Sequence, residues 1–164
     1  MTPIDMPLDY CTSIVYWSLG VVATGTVESR VEEFDNTDVG LYKWRDMLDL
    51  LGFHDTKIML AVGGYSQESA FFSRLGKDPS AMARFVTSLM EIVSKTSANG
   101  ILVDWSEPEP GCGQRDDRTT LSLLVDTIRR AYRVSGAVAG SAGIAVVISA
   151  NLTVAEQMID AGGR

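Results

Sequence analysis

The stretch Asn99-Gly100-Ile101-Leu102-Val103-Asp104-Trp105-Ser106-Glu107-Pro108 decides the fold. Small residues open it, an apolar run follows, and acid and proline close it. Such a run between Gly and Pro predicts a strand covered on both faces, the kind found in parallel sheets wrapped by helices. In barrels of such strands the chemistry sits at the carboxyl ends. Here that end carries Asp104, Ser106 and Glu107.

Three further runs share this character. Residues 10–22 (YCTSIVYWSLGVV) are rich in β-branched and aromatic side chains. Residues 57–62 (KIMLAV) stop at Gly63-Gly64, and residues 144–150 (IAVVISA) form the last. Helical patterns lie between them. Asp38 is placed to cap a helix over 39–51 that shows Leu41, Trp44, Leu48 and Leu51 at helical spacing and ends at Gly52. A short helix covers 69–75. Asp78-Pro79 starts another, with a stripe of Met82, Phe85, Val86, Leu89 and Val93 that carries it to about residue 95. Asp116 or Asp117 caps the next, whose core face is Leu121, Leu124, Val125, Ile128 and Tyr132. Thr153 begins a last one. Residues 23–37 and 107–113 read as loops.

Strand–helix alternation with apolar strands predicts a parallel α/β sheet joined by crossovers. Four such units in 164 residues make one domain over 1–164 and about half of a (β/α)8 TIM barrel, which takes about 250 residues. The chain is read as an incomplete barrel: a truncated gene product, a partial gene model, or a half whose partner would be the missing C-terminal half.

The net charge of −7 and sequence pI near 4.6 argue against nucleic acid or an anionic membrane as partner, since both select Lys/Arg patches. Apolar runs fall short of the ~18–20 residues of a membrane span. With His54 the only histidine and cysteines only at 11 and 112, neither a metal site nor a disulfide framework is expected, and no cofactor is implied. The first residues lack the pattern of a signal peptide.

The central stretch resembles the fourth-strand signature of family-18 glycoside hydrolases, the chitinases and chitinase-like proteins, which runs Asp-Gly-x-Asp-x-Asp-x-Glu. Asn99 stands at the first Asp, Gly100 matches, Leu102 stands at the second Asp, Asp104 matches the third, and Ser106 stands at the Glu; Trp105 also fits. Cys11, Thr12 and Tyr16 match the family's second strand, with Ser13 and Ser18 in place of its His and Phe. Ala61-Val62-Gly63-Gly64-Tyr65 is similar to the third-strand motif Ser-x-Gly-Gly-aromatic. The four strands thus look like strands two to five of eight. The resemblance implies a secreted protein when full-length and a cysteine pairing from strand one to strand two, but no cysteine precedes Cys11 here.

In the family, the resemblance implies, the terminal Glu protonates the glycosidic oxygen. The Asp two before it holds the substrate's N-acetyl group, whose oxygen attacks the anomeric carbon, and the inner Asp shares a proton with its neighbour. This route departs from the two-carboxylate scheme. Only Asp104 of that set remains. A serine hydroxyl at 106 cannot protonate a leaving alkoxide, and Glu107 falls one residue late, on the opposite strand face. A β-bulge at Ser106 would turn it inward. Tyr16, Gly63, Gly64 and Tyr65 complete the expected binding residues, the two tyrosines as surfaces for sugar rings. The leading expectation is a domain that binds chitin or N-acetylglucosamine oligomers without hydrolysing them. The alternatives are an active hydrolase with Glu107 as acid, and an α/β scaffold that binds no sugar.

Overall fold

The computed structural model describes residues 2–105, 116–135 and 143–147. Five strands, β1 (Ser13–Val21), β2 (Val27–Glu28), β3 (Lys57–Gly63), β4 (Gly100–Asp104) and β5 (Gly143–Val146), form one sheet in the order β2-β1-β3-β4-β5. The four long-spaced strands run parallel, with Met59 beside Gly100 and Gly63 beside Asp104. They correspond to the four runs read from the sequence. β2 turns back antiparallel on the end of β1. It and the short helix α1 (Glu32–Asp35) lie in the segment expected to be loop. A two-residue strand and a single helical turn are too short to display a period, so pattern reading misses them.

The other helices are α2 (Trp44–Leu50), α3 (Ser66–Leu75), α4 (Pro79–Thr96) and α5 (Asp117–Val134). Asp78 caps α4 as its sequence requires: its carboxylate accepts from the amides of Ser80 (2.9 Å) and Ala81 (3.0 Å). Asp38 does not cap α2. Gly40 is extended, and a 3-10 turn over Leu41–Lys43 leads into the helix instead. Asp116 holds the position before α5, but its side chain makes no capping bond. The expected continuation of β5 beyond 147 and the helix from Thr153 lie outside the described residues.

Alternation along the strands divides the molecule. Ile14 and Tyr16 of β1, Ile58, Leu60 and Val62 of β3, and Ile101 and Val103 of β4 are buried under the helices. There they meet Leu48, Phe72, Phe85, Leu89, Leu124 and Ile128. Phe72 lies at the centre, 5.4 Å from the Trp105 ring and 5.9 Å from Phe85. The opposite face carries Val15, Trp17, Met59, Leu102 and Asp104, and is partly open. Asn99 fastens the amino ends together. Its Oδ1 accepts from the Ile58 amide (3.0 Å), its own amide donates to the Ile58 carbonyl (2.8 Å), and its carbonyl accepts from Gly143. The side chain at the first signature position therefore has a structural task at the end of the sheet remote from Asp104.

Two buried tyrosines tie elements together through their hydroxyls. Tyr132 of α5 donates to the Ala98 carbonyl (3.0 Å), and burial pushes its phenol up to about 12. Tyr16 donates to Asp35 (2.7 Å), and burial, then that hydrogen bond, raise its phenol further. A raised folded-state value stabilises fully below the unfolded tyrosine value of about 10 and is lost as pH rises through the folded value. Stability is accordingly expected to hold to pH ~10 and fall above it. Tyrosinate absorbance should show two of the five tyrosines ionising only as the chain unfolds. Phe72→Ala should cost about 3–5 kcal/mol in urea denaturation, because it empties the centre of the aromatic cluster.

Candidate functional site

The carboxyl ends of β1, β3 and β4 meet through glycine. Gly63 and Gly64 have φ of 97° and 92°, a region that L side chains rarely enter. This backbone swings the end of β3 across β4, and the Gly64 amide donates to the Asp104 carbonyl at 2.8 Å. A Cβ on Gly63 would collide with that carbonyl oxygen. One on Gly64 would lie 2.9 Å from the Trp17 ring and 3.0 Å from Oδ2 of Asp104. The Gly-Gly pair acts through space and backbone direction, bringing Asp104, Trp17 and Tyr65 together.

Asp104 is buried, and its Oδ2 accepts a hydrogen bond from Nε1 of Trp17 at 3.0 Å. The Trp17 ring lies nearly parallel to that of Tyr65, with centroids 6.1 Å apart and planes 15° apart. Trp17 is 58% exposed and Tyr65 43%. An acid and two partly exposed aromatic rings thus stand at one rim of the sheet, an arrangement suited to a ring-shaped ligand that is apolar on its faces and polar at its edge.

Tyr16 is not part of it. It is buried on the helix side, edge-on to Trp44 at 5.6 Å, with its hydroxyl on Asp35. The next residue, Trp17, holds the place on the open face that Tyr16 was expected to fill. A register shift explains the spacing. Tyr16 pairs with Leu60 and Leu19 with Val62, so Trp17 and Ser18 together oppose the single residue Ala61. The extra residue is a bulge, a common device for re-aiming a side chain beside a site. The family motif leaves the position of Trp17 unspecified; the signal that marks it is strict alternation from Ser13 and Val15, which share its exposed face.

Leu102 stands beside Ala61 and Ala145 on the open face, so the inner acid of the signature is an alkyl group in place. Ser106, Glu107 and Cys112 lie outside the described residues. Cys11 is a thiol whose Sγ is 3.5 Å from the Pro7 carbonyl. Among the described residues no group of His, Cys, Asp and Glu is placed to hold a metal ion, and no helix is long and apolar enough to cross a membrane.

The model of glycosyl hydrolases family 18 matches residues 2–161. The endochitinase of Manduca sexta is 29% identical over 131 residues, covering 78% of this chain and 23% of that protein. Among solved structures, the Ostrinia furnacalis Group IV chitinase in complex with allosamidin superposes with a TM-score of 0.79 at 24% identity, over 96% of this chain and 41% of that one. Human YKL-39, described as a pseudo-chitinase with retained chitooligosaccharide binding properties, superposes with a TM-score of 0.72 at 20% identity, over 98% and 40%. The chain spans less than half of each of these proteins. With these neighbours, the parallel sheet is an incomplete barrel of the chitinase type.

Gly64→Ala should cost about 1–3 kcal/mol in stability, through its backbone conformation alone. It should also push the Trp17 ring from Asp104, seen as a loss of near-ultraviolet circular dichroism.

Proposed function

The chain belongs to glycosyl hydrolase family 18, and from that premise we propose that it is a chitinase-like domain that binds β-linked N-acetylglucosamine oligomers without cleaving them. The observation that carries this reading is the exposed Trp17–Tyr65 pair with its Trp17 indole bonded to Asp104. Pyranose rings present apolar C–H faces and polar rims. The two aromatic rings suit the faces, and the Asp104 carboxylate, in the position that holds the N-acetyl group in the family's chemistry, suits an acetamido N–H.

Binding and bond cleavage part company at two positions. Leu102 cannot share a proton with Asp104, and Ser106 stands where the proton donor belongs. Protonating the leaving alkoxide requires a group with an acid range near neutral pH, and a serine hydroxyl has none. The retained binding described for YKL-39 is the same division of function in a protein of the same fold. Chitin and its oligomers lie outside cells, so the reading places the protein's work there.

Titration of the purified protein with chitopentaose, alongside a reducing-end assay, tests this. Saturable binding with no product released is expected. Trp17→Ala and Tyr65→Ala should each weaken binding about tenfold, the scale of one aromatic contact. Turnover that disappears on Glu107→Gln would instead establish an active hydrolase with Glu107 as acid. Absence of binding would leave the α/β scaffold reading.

A further inference from the structure

Arg30, in the loop between β2 and α1, is the most heavily engaged side chain near the site, and no motif pointed to it. Its Nη2 donates to both oxygens of Glu68 (2.8 Å each), to the Gly63 carbonyl (3.1 Å) and to the Leu19 carbonyl (3.4 Å). Its Nε donates to Oγ of Ser18 (3.3 Å), which itself donates to the Gly63 carbonyl (2.8 Å). The guanidinium carbon sits 4.2 Å from the centroid of the Tyr65 ring. Glu68, in the first turn of α3, is buried and also accepts the Val21 amide at 2.9 Å. One planar cation therefore binds the ends of β1 and β3 to the start of α3 and covers one face of Tyr65.

We propose that Arg30, pinned by Glu68, is a positioning residue that fixes the Tyr65 ring parallel to Trp17 and so builds the sugar-stacking surface; this rests on the binding role proposed above. The charge balance supports an internal task. The side chain of Arg30 is 27% exposed and its carboxylate partner 7%, so the cation is matched within the protein and is not presented to an anionic ligand. A flat guanidinium can stack on a ring while donating in its own plane to several acceptors; a lysine ammonium cannot do both. Tyr65 hangs between a strand end and a helix start, with no other ring but Trp17 in contact among the described residues. Arg30 and Trp17 are thus the cation and the ring that meet the Tyr65 ring among the described residues.

The test is Arg30→Lys, which keeps a cation for the buried Glu68 and removes the planar stack. The readout is acrylamide quenching of tryptophan fluorescence. Of the three tryptophans, Trp44 and Trp105 are 3% and 5% exposed, so quenching reports Trp17. In a variant with parental far-ultraviolet circular dichroism, quenching should rise about twofold, and chitopentaose affinity should fall about three- to tenfold, the scale of one cation–π contact. In a Tyr65→Ala background the same replacement should change affinity less than about twofold, because coupled residues are not additive. Unchanged quenching overturns the proposal, and so does an equal loss of affinity with and without Tyr65. Should Arg30→Lys fail to fold, Arg30→Met combined with Glu68→Gln removes both charges and is read in the same way. If the parent protein does not bind chitopentaose, the binding role fails while the quenching result still decides the role of Arg30.

Discussion

The site depends on the close approach of two strand ends, made possible by Gly63 and Gly64. Their left-handed backbone carries β3 across β4 so that the Gly64 amide meets the Asp104 carbonyl. The same turn leaves a space, free of any Cβ, in which the Trp17 indole reaches the Asp104 carboxylate. Everything else at the rim follows from this crossing. Tyr65 comes next in sequence and lands beside Trp17. Glu68, three residues later, draws Arg30 against the Gly63 carbonyl and the Tyr65 face. The hydrophobic layer behind the sheet, centred on Phe72, Phe85 and Trp105, supplies the rigid support that such an arrangement needs.

Bulge and turn act together. Alternation from Val15 puts Trp17 on the open face, and the extra residue that sets Trp17 and Ser18 opposite Ala61 returns Leu19 to the core beside Tyr16. Ser18 then reaches the Gly63 carbonyl, joining the bulge to the glycine turn. Asp35 holds the loop after β2 to the root of this strand by accepting from Tyr16 and Ser29. The loop that carries Arg30 is thereby anchored on both sides of that residue.

How much of this the sequence discloses depends on the range of each interaction. β4 and α4 are legible because their signals are local: an apolar run between Gly and Asp, and Asp78-Pro79 ahead of a stripe from Met82 to Val93. The family signature is legible because its order survives even where single residues change. A motif match says nothing about which face a strand residue occupies, so it points to the buried Tyr16, while the exposed Trp17 stands at a position the motif leaves unspecified. Arg30 and Glu68 are 38 positions apart and meet only after β1, β3 and α3 have assembled, so no local period marks them. α1 and β2 are too short to show any period at all.

The most direct measurement is the indole N–H resonance of Trp17 during titration with chitopentaose, read by 1H–15N correlation. The protein has three tryptophans, and those at 44 and 105 are buried, which leaves one signal at the rim. A sugar ring stacking on Trp17 beside Asp104 should shift that signal in a saturable way while the other two stay in place, with the oligomer intact at the end of the titration. A Trp17 signal that does not move at saturating oligomer, or an oligomer found cleaved, would contradict the account of a binding domain built on Trp17, Tyr65 and Asp104.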